Sequence, residues 1–125
     1  MDKLTTYAPL VGRILIAALF LMAGLGKLAD VPGFAGYLTS GGLPALLAWP
    51  SILFEVLLGA ALLLGYQTRI MALLGAGFCV LAAVLYHFQP ADQLQMAMFL
   101  KNLAIAGGLL MYFAHGAGAV ALDKR

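Results

Sequence analysis

The chain has 125 residues, of which 64% are hydrophobic and only 10% are charged, and its mean hydropathy is +1.02. A soluble domain has about 25% charged residues, so this chain lacks the polar surface that a soluble fold needs. The formal net charge is +2 without any basic run, which excludes nucleic-acid binding through clustered Lys and Arg. Because about 20 residues span a membrane as a helix, the length suits four spans. The sequence therefore predicts an all-α polytopic membrane protein, a bundle of four transmembrane helices that forms a single domain over residues 1–125.

The first predicted helix covers approximately residues 9–28. Pro9 suits its start, because the missing N–H of a proline costs nothing in the first helical turn. Residues 29–44 are rich in Gly, Pro and Asp, which is turn chemistry. This longest connection is expected to be a loop or a short helix along the membrane surface. The later helices are predicted over approximately residues 45–64, 68–88 and 95–114, with Gly116 and Gly118 breaking the last one.

Lys and Arg are distributed unequally between the two sides of the predicted bundle. One side carries Lys3, Lys124, Arg125 and Arg69, whereas the turn around Asp92 carries no Lys or Arg. Cytoplasmic loops of membrane proteins are enriched in these two residues. The sequence thus predicts that both termini are cytoplasmic and that Arg69 lies in a cytoplasmic turn.

Ionisable residues within the apolar segments are the strongest functional signal. A charge at bilayer depth costs about 2.5–3.5 kcal/mol on insertion scales, so it persists where it faces the bundle interior and has a partner. Glu55 lies near the centre of the second segment, and its predicted partner is Lys101 or Arg13. Lys27 lies at the end of the first segment, where its side chain is expected to snorkel to the interface. Excess positive charge would be balanced by a neutral Lys101 or by a bound anionic or electron-rich head group.

Helical spacing places each of these groups on a stripe with small residues. Small residues are enriched where membrane helices pack, so the polar stripes are predicted to face inward. Simple packing without function is the alternative for their Gly and Ala positions. The stripes are Arg13-Ala17-Phe20-Gly24-Lys27, Glu55-Gly59, Arg69-Leu73-Ala76-Val80-Ala83-His87 and Lys101-Ala104-Gly108-Tyr112-His115.

Two further polar residues belong to the predicted cluster. His87 at the end of the third helix would exchange protons with a quinone-like group or cap the helix end. Asn102, beside Lys101, can donate and accept hydrogen bonds. His87 and His115 have no Cys or acidic residue at ligand spacing, so no metal site is predicted. The single cysteine, Cys79, allows no internal disulfide.

Several motifs of the chain occur together in a known family. They are Gly12-Arg13, Gly26-Lys27-Leu28, Glu55, Leu64-Gly65-Tyr66-Gln67-Thr68-Arg69, Ala76-Gly77-Phe78, His87, Lys101-Asn102 with Gly107-Gly108, and Gly116-Ala117-Gly118-Ala119 with Leu122-Asp123. With these motifs the chain resembles DoxX-family membrane proteins over nearly its whole length. The resemblance implies a four-helix protein of the bacterial inner (plasma) membrane. Some relatives look like subunits of quinone-linked sulfur oxidoreductases or accompany oxidoreductase complexes in thiol and superoxide defence, and distant eukaryotic relatives act as assembly or trafficking factors.

The leading prediction is a redox-linked subunit, embedded in the lipid bilayer, that binds a quinone or a similar lipid-soluble molecule. Glu55 and Lys101 would orient or protonate its oxygen, His87 and Lys27 would serve the outer mouth, and an oxidoreductase partner subunit would supply electrons. The alternative is a non-catalytic scaffold or assembly factor, since buried polar groups also specify packing. A small transporter or channel is a third interpretation, which would need a homo-oligomer to form a pore.

Overall fold

A computed structural model of the chain describes residues 2–123, which form helices and turns without a strand in that range. Four helical stretches are long and apolar enough to cross a membrane, which confirms the predicted all-α class and number of spans. Large apolar side chains such as Leu15, Leu57 and Met111 are exposed along these stretches, as expected where lipid replaces water. The stretches are Asp2–Ser40, Ala45–Leu64, Thr68–His87 and Gln93–His115.

The first stretch contains two helices. Helix α1 covers Asp2–Lys27, and a 3-10 turn at Leu28–Asp30 leads into helix α2 at Val31–Ser40. The Asp30 side chain caps α2, because its Oδ1 accepts a hydrogen bond from the backbone N–H of Gly33 at 3.0 Å. The turn-rich connection therefore contains a helix, while its predicted place along the membrane surface stays a prediction.

Helix α1 begins earlier than predicted, and Pro9 lies inside it. An internal proline removes one backbone hydrogen bond without necessarily ending a helix. Pro9 also packs against the C-terminal segment, since a Cβ added at Gly118 would lie 2.6 Å from the Pro9 Cβ. The predicted start at Pro9 is wrong because tertiary packing holds this turn in helical form.

The remaining helices follow the predicted order. Helix α3 covers Ala48–Leu64 after a 3-10 turn at Ala45–Leu47, and Gly65 ends it in the left-handed conformation with φ of 69°. Helix α4 covers Thr68–Ala82 and continues as a π-helical turn over Ala83–His87. Helix α5 covers Gln93–His115, and Gly116 breaks it, as predicted.

The described chain divides into two compact units. The first unit contains α1, α2, α3 and the tail from Ala117 to Asp123, and the second unit is Thr68–Gly116, with α4, the π-helical turn and α5. The single-domain organisation stays a prediction.

Within the first unit, α1 and α3 pack as an antiparallel pair. Gly24 lies against the α3 residues Glu55 and Val56, and Leu21 lies against Gly59 one turn farther along α3. A Cβ added at Gly59 would lie 2.6 Å from the Leu21 Cγ, so the two backbones approach as closely as small residues permit. This close pairing sets which side chains of α1 can reach α3.

Candidate functional site

An ion pair joins α1 to α3 inside the first unit. Lys27 Nζ donates a hydrogen bond to Oε1 of Glu55. The Glu55 side chain is 4% exposed, whereas that of Lys27 is 30% exposed. The carboxylate is thus enclosed by protein, and the ammonium is the open end of the pair.

Helix packing explains why these two residues meet. Gly24 lies directly against Glu55, with a Cβ added at Gly24 only 3.2 Å from the Glu55 Cβ. Lys27 follows Gly24 by three positions and therefore lies on the same face, about one turn along α1. It is also in the last turn of α1, where the helix dipole stabilises a cation.

Helix α2 supplies a third member of the site. Lys27 Nζ lies 4.9 Å from the ring centroid of Phe34, a cation–π contact. The ammonium consequently has a carboxylate and an aromatic ring as neighbours. We call Lys27, Glu55 and Phe34 the ion-pair site.

The ion-pair site differs from the predicted cluster in its basic partner. The predicted pairing of Arg13 with Glu55 is wrong, because the Glu55 carboxylate binds Lys27. The Lys27 ammonium contacts the carboxylate and the Phe34 ring within the unit, and its expected snorkelling to the interface stays a prediction. Lys101 lies on α5 in the second unit with an exposed side chain, and its pairing with Glu55 stays a prediction.

Arg13 binds backbone carbonyl groups in the first unit. It is 0% exposed, and its Nη1 donates to the Leu62 carbonyl oxygen at 2.8 Å, close to the end of α3. Its Nε donates to the Ala117 carbonyl oxygen at 3.0 Å, and its Nη2 donates to that of Val120. Arg13 therefore caps α3 and fastens the C-terminal tail at the same time.

Arg69 plays a comparable part in the second unit. It lies in the first turn of α4 and is exposed. Its Nη1 donates to the carbonyl oxygens of Ala114 at 2.9 Å and Phe113 at 3.3 Å, at the end of α5. These are carbonyl groups that the end of a helix leaves without an intrahelical partner.

His87 and Asn102 also belong to the second unit. His87 is half-buried at the end of the π-helical turn, where its Nδ1 lies 2.8 Å from Oε1 of Gln95. Asn102 is half-buried on α5 beside the exposed Lys101. Their membership in a common ligand-binding cluster with Glu55 stays a prediction.

The inward direction of the polar stripes is confirmed in the first unit only. Arg13, Gly24 and their stripe on α1 are buried, as are Glu55 and Gly59 on α3. On α4 and its π-helical turn the predicted stripe is mixed, since Ala76 and Ala83 are buried whereas Leu73 and Val80 are exposed. On α5 the residues Lys101 and Ala104 are exposed, whereas Ala106 and Leu109 are buried. On α5 the exposed Lys101 therefore does not mark the buried face.

Three features of the sites are not predicted by the sequence. They are the Phe34 ring beside Lys27, the hydrogen bond between Gln95 and His87, and the tail carbonyl groups that bind Arg13. The α1–α3 pairing could have been inferred from Gly24 and Gly59, which mark two helix faces able to approach each other. Within residues 2–123, no group of three or more His, Cys, Asp or Glu side chains is arranged to hold a metal ion.

Comparison with known proteins gives consistent matches. The family model described as DoxX matches residues 8–88. The chain is 40% identical over 124 residues to "Inner membrane protein YqjF" of Escherichia coli (strain K12), with 99% of this chain and 95% of that protein covered. It is 32% identical over 123 residues to "Inner membrane protein YphA" of the same organism, with 93% of this chain and 88% of that protein covered. No solved structure shows significant similarity to the chain.

Proposed function

The chain belongs to the DoxX family, and we propose that it is an integral inner-membrane protein that binds a quinone-like, lipid-soluble molecule at the ion-pair site. The observation that carries this proposal is the asymmetry of the pair: the Glu55 side chain is 4% exposed and that of Lys27 is 30% exposed. The inner-membrane location rests on the similarity to two proteins that carry that name.

The chemistry of the three side chains suits a quinone head group. An ammonium has three donors, so Lys27 can bind Glu55 and still donate to a carbonyl oxygen of the ligand. Glu55 can accept a proton or return one when such an oxygen changes charge. Phe34 offers a flat apolar surface beside the ammonium, where an aromatic ligand ring would stack.

Electron transfer would require a partner. The sequence has a single cysteine, so an internal dithiol relay is excluded. An oxidoreductase subunit bound in the membrane would supply or take up the electrons, and this chain would bind the quinone. A homo-oligomer is an additional prediction from the sequence.

The orientation is part of the same proposal. The sequence assigns Lys3, Arg69, Lys124 and Arg125 to one side of the predicted bundle, and the last two lie outside the described residues. The positive-inside rule then places both termini in the cytoplasm.

The proposal is tested by measuring ligand affinity and stability separately. Lys27→Met is expected to weaken binding of a short-chain benzoquinone at least tenfold, measured by equilibrium dialysis with protein in lipid nanodiscs. Lys3→Met, on the exposed start of the same helix, is the matched control and should bind like the wild type. Equal affinity of Lys27→Met and Lys3→Met would refute the proposal.

A non-catalytic scaffold or assembly factor remains the second candidate, and Arg13 favours it. This fully buried cation binds the Leu62 and Ala117 carbonyl groups, which is a structural use of charge. The double variant Lys27→Met/Glu55→Gln separates the two functions, because it removes both charges and leaves neither one alone. Recovery of thermal stability relative to Lys27→Met, without recovery of quinone binding, would favour a ligand site. If no quinone binds even to the wild type and only stability responds, the scaffold function is supported.

A further inference from the structure

The end of α4 has an unusual backbone. Residues Ala83–His87 form a π-helical turn, which is rare and often occurs at functional sites. The turn ends at His87, which is half-buried. Its ring Nδ1 lies 2.8 Å from Oε1 of Gln95 on α5. A titratable side chain at the edge of a span is therefore held by a neutral amide.

The orientation of the Gln95 amide selects a tautomer of the His87 imidazole. With the amide oxygen toward the ring, as it is oriented here, His87 Nδ1 carries the proton and donates it. The neutral ring then has its lone pair on Nε2. In proteins, the hydrogen bond that one ring nitrogen makes sets which nitrogen of a histidine faces a ligand.

The surrounding turn holds both residues in place. The Asp92 side chain caps α5 by accepting hydrogen bonds from the backbone N–H groups of Leu94 at 3.0 Å and Gln95 at 3.2 Å. Phe88 directly follows His87, and Phe99 lies one helical turn after Gln95 on α5. The centroids of these two rings are 5.3 Å apart. The polar pair therefore lies next to an aromatic pair that joins the same two elements.

We propose that His87 and Gln95 form a second binding site, in the second unit, which accepts a hydrogen bond from a phenolic hydroxyl group such as that of a hydroquinone. His87 Nε2 is the acceptor, Gln95 is a positioning residue, and the exposed Phe88 ring provides an apolar surface for the ligand ring. This inference rests on the proposed function and names the reduced form of the ligand as the species bound here. It requires no change in the protonation state of His87.

The direct test is nitrogen-15 NMR of histidine-labelled full-length protein in nanodiscs at a pH where imidazole is neutral. His115→Asn identifies the His87 signals. We expect the Nδ1–H tautomer, and a shift of the Nε2 resonance when trimethylhydroquinone is added. Trimethylhydroquinone dimethyl ether has the same ring and no O–H group, so it should leave the resonance in place. The inference is overturned if both compounds shift the resonance equally or neither does.

Variants of Gln95 test its positioning role. Gln95→Leu removes the acceptor, so the tautomers should mix and the affinity for the hydroquinone should fall about three- to tenfold. Gln95→Glu keeps an acceptor in the same place and should restore the Nδ1–H tautomer, which separates positioning from loss of fold. An unchanged tautomer in Gln95→Leu contradicts the inference. If equilibrium dialysis shows hydroquinone binding that depends on Lys27 while the His87 resonance stays fixed, this second site is refuted and the proposed function stands.

Discussion

In the first unit, Lys27 and Arg13 are stabilised by different kinds of partner. Lys27 is a compact ammonium that pairs with one carboxylate and keeps part of its side chain accessible. Arg13 has a planar fork of donors, which reaches the Leu62 carbonyl in α3 and the Ala117 carbonyl in the tail together. The two are not interchangeable, because a lysine cannot reproduce the fixed fork. The accessible cation suits ligand binding, and the enclosed one suits structure.

Replacing Arg13 is expected to lower the stability of the protein more than replacing any other Lys or Arg among the described residues. Arg13→Met leaves the Ala117 carbonyl oxygen without the guanidinium donor, and a buried unsatisfied carbonyl costs about 1–3 kcal/mol. The Leu62 carbonyl oxygen loses one donor and keeps the N–H of Gly65. Arg13→Lys should recover only part of the loss, since it cannot contact α3 and the tail with one fork. Thermal unfolding in detergent measures both variants.

Arg69→Met is the matched control for this prediction. Arg69 also binds the end of a helix, through the Ala114 carbonyl, but it is exposed and its partners can find other donors. Its loss should lower the unfolding temperature less than Arg13→Met does. An equal or larger effect of Arg69→Met would show that burial does not govern the strength of these caps.

The sequence predicted the acidic residue of the ion-pair site, Glu55, but it did not predict Lys27 as the partner. A carboxylate in the middle of an apolar segment requires burial and a cation, so Glu55 was identified from hydropathy alone. The choice between Lys27 and Arg13 depends on the register of α1 against α3, which a single sequence does not encode locally. Each helix considered alone predicted Lys101 or Arg13 as the partner, whereas the Gly24 contact brings Lys27 to the carboxylate.

At the scale of helix pairs, some glycines contact a neighbouring helix and others face open space. Gly59 faces Leu21 so closely that an added Cβ would lie 3.0 Å from the Leu21 backbone nitrogen. Gly26, on α1, has no heavy atom within 4 Å of such a Cβ. The effect of adding a Cβ at a glycine therefore depends on whether a neighbouring helix lies against that position.

Gly59→Ala is therefore expected to destabilise the first unit by about 1–3 kcal/mol, since α1 and α3 must separate to admit the methyl group. Gly26→Ala, the matched control, should be neutral or stabilising by up to about 1 kcal/mol, because alanine favours a helix and meets no neighbour here. Thermal unfolding of both variants decides the point. The packing of α1 on α3 would need revision if Gly59→Ala were the more stable of the two.

The sequence predicts where the helices lie along the chain better than it predicts which face of each helix is buried. Long apolar runs and the Gly116 break predicted the four spans, because each span is a local property. The inward face is a property of pairs. It was predicted on α1, where Arg13 and Gly24 share one face, and missed on α5, where Ala106 and Leu109 are buried instead of the Lys101 stripe. The polar group marked the contact face only where a partner group existed on the other helix.

At the scale of the whole chain, each of the two units contains an arginine that donates hydrogen bonds to backbone carbonyl groups at the end of a helix. In the first unit Arg13 binds α3, and in the second Arg69 binds α5. The positive-inside rule predicts the cytoplasmic side for the ends of both helices. If that prediction holds, the same arginines would favour the cytoplasmic side during insertion and cap helix ends in the folded protein.

This arrangement leads to a prediction about orientation in the membrane. If each of the four candidate stretches crosses the membrane, both termini and the loop that contains Tyr66 are expected on the same side. Ala91, in the turn before α5, should lie on the opposite side. In a background with Cys79→Ala, we expect Ala91→Cys to react with a membrane-impermeant maleimide in intact spheroplasts. Tyr66→Cys should react only after the membrane is opened, and both positions are exposed, so access to reagent alone separates them. The reverse labelling pattern would place the arginine caps on the outer side, and then the positive-inside rule could not explain their positions.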